Sequence, residues 1–93
     1  MANAILFNAT IGTEGTNQPL DPSGVEQLSY AQTLIIKAVT GNTGTIYVQT
    51  SAGAAATSGF PLAAGEQIVI LFPTTGLFVN GTATSDKYAV AAS

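Results

Sequence analysis

With 93 residues and neither cysteine nor histidine, the chain has room for one modest core and nothing to staple it with, neither disulfides nor the usual zinc and copper ligands. Charged residues are 8% of the total, against roughly 25% in an ordinary soluble domain. The net charge of −3 sets Glu14, Asp21, Glu26, Glu66 and Asp86 against only Lys37 and Lys87, too few cations for a run of phosphates, which argues against nucleic acid and anionic membrane as partners.

Met1 to Phe7 has neither the basic region nor the apolar stretch of a signal peptide, and no run approaches the ~20 apolar residues of a spanning helix. Synthesis in a cytosol is therefore expected. Ala4 to Ile11 can form a first strand. Gly12 to Gly24, with Pro19 and Pro22, is expected to be a polar loop, and Val25 to Tyr30 a short strand or a single helical turn.

Thr33-Leu-Ile-Ile-Lys-Ala-Val-Thr40 is the clearest strand, rich in β-branched residues. Gly41-Asn-Thr-Gly44 has turn composition and leads into Thr45-Ile-Tyr-Val-Gln-Thr50, so the two runs predict a β-hairpin. The alanines of Ser51 to Gly59 are flanked by glycine and lack helix caps, which predicts a loop. Phe60-Pro-Leu-Ala-Ala-Gly65 is expected to form a corner, with Phe60 and Leu62 plugging the core and Gly65 permitting a turn. Gln67 to Phe72 is a second strong strand. Leu77 to Asn80 is extended, Asn80-Gly81 has the look of a turn pair, and Lys87 to Ala92 closes the chain as a strand. The expectation is one domain over 1–93, with 1–30 as an arm or an extra strand: an all-β fold, a small antiparallel β-sandwich or jelly-roll-like barrel of six or seven strands.

Strand alternation puts Leu34, Ile36 and Ala38 on one face and Ile35, Lys37 and Val39 on the other. Likewise Ile68, Ile70 and Phe72 oppose Val69 and Leu71. Both faces are largely apolar, so both need a cover. The opposing sheet supplies one. A neighbouring subunit is the favoured second cover, and the Gly12–Gly24 loop is the alternative.

The runs Leu34-Ile-Ile-Lys-Ala38, Asn42-Thr-Gly44, Ile46-Tyr-Val48 and Gly59-Phe-Pro-Leu-Ala-Ala-Gly-Glu66 resemble a group of small tailed-phage virion proteins, among them head decoration and head-fibre proteins. Their pattern is an Asn-x-Gly turn, a Gly-Phe/Tyr-Pro-Leu-x-x-Gly-Glu corner, then strands matching Leu77-Phe-Val79 and Tyr88-Ala-Val90. The likeness covers roughly residues 33 to 92. The corner is distinctive and the remainder is common β grammar. The resemblance implies a virion location, a β-sandwich module forming a homo-oligomer (a homotrimer), and the major capsid protein or another virion protein as partner. It carries over no catalytic residue.

No catalytic, cofactor or metal site is expected. Glu14, Asp21 and Glu26 share one polar stretch but lack the dense Asp/Asn/Gly spacing of a calcium loop. Tyr30, Tyr47 and Tyr88 can stack on sugar rings, which makes a carbohydrate- or receptor-binding module of a fibre or tail the alternative reading; tyrosine is as common at sheet edges for packing. Lys37, amid aliphatics, can meet a carboxylate across an interface or extend to water.

Overall fold

A computed structural model describes residues 5–21, 32–50, 53, 58–71 and 77–93. Among these the chain forms eight strands and no helix: β1 (Ile5–Thr10), β2 (Gln18–Pro19), β3 (Thr33–Ala38), β4 (Ile46–Gln49), β5 (Phe60–Leu62), β6 (Gln67–Leu71), β7 (Phe78–Gly81) and β8 (Lys87–Ala92). They make two four-stranded sheets, ordered β1-β8-β3-β6 and β2-β7-β4-β5, with every pairing antiparallel.

The pairings nest. β4 pairs with β5, β3 with β6, β2 with β7 and β1 with β8, as in one long ribbon doubled back on itself. Successive ribbon segments then fall in opposite sheets, joined sideways by β3–β8 and β4–β7. That is the eight-stranded jelly roll, the two-sheet form of the sandwich that the alternating sequence predicts.

The core forms where the inner faces meet. Leu34, Ile36 and Ala38 of β3 and Tyr88, Val90 and Ala92 of β8 are buried from one sheet, Ile46, Val48, Leu62 and Val79 from the other. Ile11 and Leu20 belong to the same buried cluster. The register stacks Ile36 between Ile68 and Val90, and Leu34 between Ile70 and Ala92, so aliphatic rows run across the strands. The fully buried Leu34, Ile36 and Val90 each contribute about 1.5–3 kcal/mol by leaving water.

Several sequence expectations are corrected. β3 and β4 are not a hairpin, because they lie in different sheets. The segment between them arches from one sheet to the other and is anchored by side chains far along the chain. Asn42 donates from Nδ2 to the Lys87 carbonyl (2.7 Å) and accepts from the Lys87 N–H (2.8 Å), and the Asp86 carboxylate accepts from the N–H groups of Thr43 (3.0 Å) and Gly44 (2.8 Å). Asn80 and Gly81 lie within β7, not in a turn. A Cβ on Gly81 would stand 2.9 Å from Ile11 Cγ1, so this glycine admits close core packing.

The loop expected over Gly12–Gly24 contains β2, a two-residue edge strand on β7 in which Pro19 is tolerated. Leu62 plugs the core as expected, whereas Phe60, at the start of the same edge strand, is 54% exposed. The corner itself forms as its glycine suggests. Glu66 donates its N–H to Ala63 O (2.9 Å) and Gly65 has φ +86°, the geometry of a type II turn. Gly65 and Glu66 together oppose Ala38, through Gly65 N to Ala38 O (2.8 Å) and Ala38 N to Glu66 O (2.9 Å), a G1 bulge that starts β6. Val25–Tyr30, Phe72 and most of Ser51–Gly59 lie outside the described residues.

Candidate functional site

Strand alternation turns the other half of the β1-β8-β3-β6 residues away from the core. The register aligns Leu6 with Ala91, Ala91 with Ile35, and Ile35 with Val69, one apolar row crossing all four strands. The next row is Asn8, Ala89, Lys37 and Gln67. Leu71 stands opposite Thr33 beyond the apolar row. Leu6 is 77%, Val69 51% and Leu71 64% exposed, while Ile35 and Val39 are half-buried.

Between the flanking side chains of β1 and β3, the alanines of β8 leave a groove of about 350 Å³, floored by Ala89 and Ala91 and bounded by Leu6, Asn8, Ile35 and Lys37. Lys37 is exposed on this face. Sequence reasoning groups Ile35, Lys37 and Val39 on one face of β3 and Val69 and Leu71 on one face of β6 without fixing which face is outward. It missed Leu6 and the two alanines, although the period-two alternation of Lys87–Ala92 already separates Ala89 and Ala91 from Tyr88, Val90 and Ala92.

The loop proposed as an alternative cover goes elsewhere along its described part. Gly15 donates to Gly81 O (2.9 Å), Leu20 donates to Leu77 O (2.9 Å), and β2 pairs with β7. Asn17 Oδ1 accepts from Gln49 Nε2 (2.9 Å) and Asn80 Nδ2 (2.6 Å), and Gln49 Oε1 accepts from Ser58 Oγ (3.1 Å). Residues 12–21 thus lie against the second sheet and cover the buried amides of Gln49 and Asn80 there.

The remaining candidates do not converge. Glu14 is exposed and Asp21 half-buried, Glu26 is outside the described residues, and no group of three potential metal ligands occurs among the described residues. Asp86 is buried, with its carboxylate committed to the β3–β4 arch. Glu66 accepts from the Ala63 N–H (2.7 Å), holding its own corner. Tyr88 is fully buried and donates its hydroxyl to Leu20 O (2.6 Å); burial pushes its pKa from 10.0 up to about 12. It offers no ring to a sugar. Tyr47 is half-buried and Tyr30 lies outside the described residues. No family model, curated protein or solved structure matches the chain.

Proposed function

We propose that this protein is a non-enzymatic structural subunit of a bacteriophage particle, of the capsid-decoration or head-fibre type, and that it works by packing against other protein subunits through the outer face of the β1-β8-β3-β6 sheet. The observation that carries the packing claim is the solvent-facing row Leu6, Ala91, Ile35 and Val69, extended by Leu71. Covering such a surface recovers about 25 cal/mol for each Å² of apolar area removed from water. Low charge supports the same reading, since few ions need desolvating when the surface is buried. The virion assignment rests on the resemblance of the Gly59–Glu66 corner and the strands around it. The jelly roll adds no weight to it, because capsid, lectin and enzyme domains all use that fold.

In this role the protein acts mechanically. Its contacts with copies of itself and with the major capsid protein add cohesion that resists internal pressure. The resemblance implies three-fold association. Light scattering on the purified chain at micromolar concentration tests the packing claim: an oligomer that Ile35→Asp dissociates without loss of strand signal supports it, and a stable monomer overturns it. A density map of the particle tests the location, and a glycan array that lights up would favour receptor binding instead.

A further inference from the structure

An eight-stranded sandwich with two open sheets has four edge strands, here β1, β6, β2 and β5. Each edge offers unpaired N–H and C=O groups to any extended chain, and folded proteins commonly blunt them. β2 is two residues long and contains Pro19; β5 is three residues long and contains Pro61. The end of β1 is capped, with Gln18 donating from Nε2 to Thr10 O (3.2 Å) while its Oε1 accepts from the Gly12 N–H (3.1 Å). β1 shares β6's lack of proline and charge and is set apart by that cap, whereas β6 shows none of these devices among the described residues. Gln67-Ile-Val-Ile-Leu71 contains no proline and no charge, and its bulge at Gly65–Glu66 comes before the strand, leaving a regular five-residue run.

The direction of its free backbone groups follows from the ladder. Ala38 is hydrogen-bonded to the Gly65–Glu66 bulge, and Thr33 exchanges bonds with Ser93 (3.1 and 3.0 Å) on the other side of β3. Alternation then makes Ile36–Ile68 and Leu34–Ile70 the hydrogen-bonded pairs of β3 and β6. The N–H and C=O groups of Gln67, Val69 and Leu71 therefore point away from the sheet.

We infer that β6 is a self-pairing edge: two copies of the chain join antiparallel along Gln67–Leu71 about a two-fold axis through Val69. The strand suits itself as a partner. Val69 meets Val69 of the second copy in a hydrogen-bonded pair, and Gln67 meets Leu71 twice, for about six backbone bonds. On the inner side Ile68 meets Ile70 of the other copy, and like charges never meet, because the strand has none. The two four-stranded sheets merge into one of eight, and the apolar outer row of each continues into the other across the axis. This inference rests on the subunit-packing reading and sharpens it. An isologous contact closes at two copies, where the resemblance implies three.

The absence of native cysteine makes the test clean. In the pairing described, the two Val69 residues form a hydrogen-bonded pair with Cα atoms about 5.5 Å apart and Cβ atoms about as far, beyond the ~3.5–4.5 Å between Cβ atoms that a disulfide needs but within reach of a short bis-thiol cross-linker. Val69→Cys treated with such a cross-linker should run as a covalent dimer on a denaturing gel, and Leu6→Cys, on the opposite edge, should not. Sedimentation equilibrium of the unmodified chain should give twice 9.4 kDa. Val69→Pro removes an N–H that points outward, so the chain should keep its circular dichroism and fall to one chain mass. Should Val69→Pro fail to fold, the Val69→Cys gel still decides. An oligomer that ignores Val69→Pro, or whose Val69→Cys form stays unlinked while Ile35→Asp dissociates it, overturns the edge and leaves face packing standing. A linked dimer insensitive to Ile35→Asp supports the edge and removes the face. An unmodified chain that stays monomeric overturns this inference and the packing reading together.

Discussion

Tyr88 lies on the inner face of β8, its ring sealed in the core and its hydroxyl held by the Leu20 carbonyl. Because burial raises the phenol to about 12, the folded chain keeps this proton at pH values where the unfolded chain has lost it. The stability that follows is complete below pH 10 and disappears between pH 10 and about 12, on the order of 2–3 kcal/mol. Tyr88→Phe should flatten this alkaline loss, read from urea melts between pH 8 and 12. It should also lower neutral stability by about 1–3 kcal/mol, since a buried carbonyl loses its donor. Asp86 matters in another way: its carboxylate takes two backbone N–H groups of the arch at 3.0 and 2.8 Å. Asp86→Ala should cost about 2–4 kcal/mol in denaturant melts, more than an exposed carboxylate such as Glu14, whose loss should fall within about 0.5 kcal/mol.

The strands themselves were legible because their composition leaves few alternatives. β3, β6 and β8 are rich in β-branched or small apolar residues, and the structure forms them almost to the residue. The arch between β3 and β4 was not legible. Gly41-Asn-Thr-Gly44 has the composition of a hairpin turn, and what makes it an arch is its bonding to Asp86 and Lys87, over forty positions away. Asn42→Ala should therefore loosen β8 as well as the arch, at about 1–2 kcal/mol, visible as faster amide exchange at Lys87. Gly81 shows the same limit from the other side. Beside an asparagine it resembles a turn residue, yet in β7 it makes room for Ile11 and Ile46. Gly81→Ala should cost about 1–3 kcal/mol by overpacking, measured as a lower melting temperature.

For the molecule as a whole, the path of the chain after β1 decides which sheet face stays open among the described residues. The described part of the segment after β1 covers the second sheet, where Asn17 meets Gln49 and Asn80, leaving Leu6, Val69 and Leu71 exposed on the first. Paired substitutions show which face is which. Ile36→Asp, fully buried, should unfold the chain, whereas Leu71→Asp, 64% exposed, should leave circular dichroism unchanged and raise solubility.

The sequence by itself determined the class of fold, the period-two faces of its central strands, and an inventory poor in charge and without histidine or cysteine, because all of these depend on residue type and near neighbours. Which sheet each strand joins, and which apolar face and which edge stay uncovered among the described residues, were decided only by the tertiary structure. Those outcomes depend on contacts between distant residues, such as Asp86 with Thr43 and Gly15 with Gly81, and local composition carries no record of such partners.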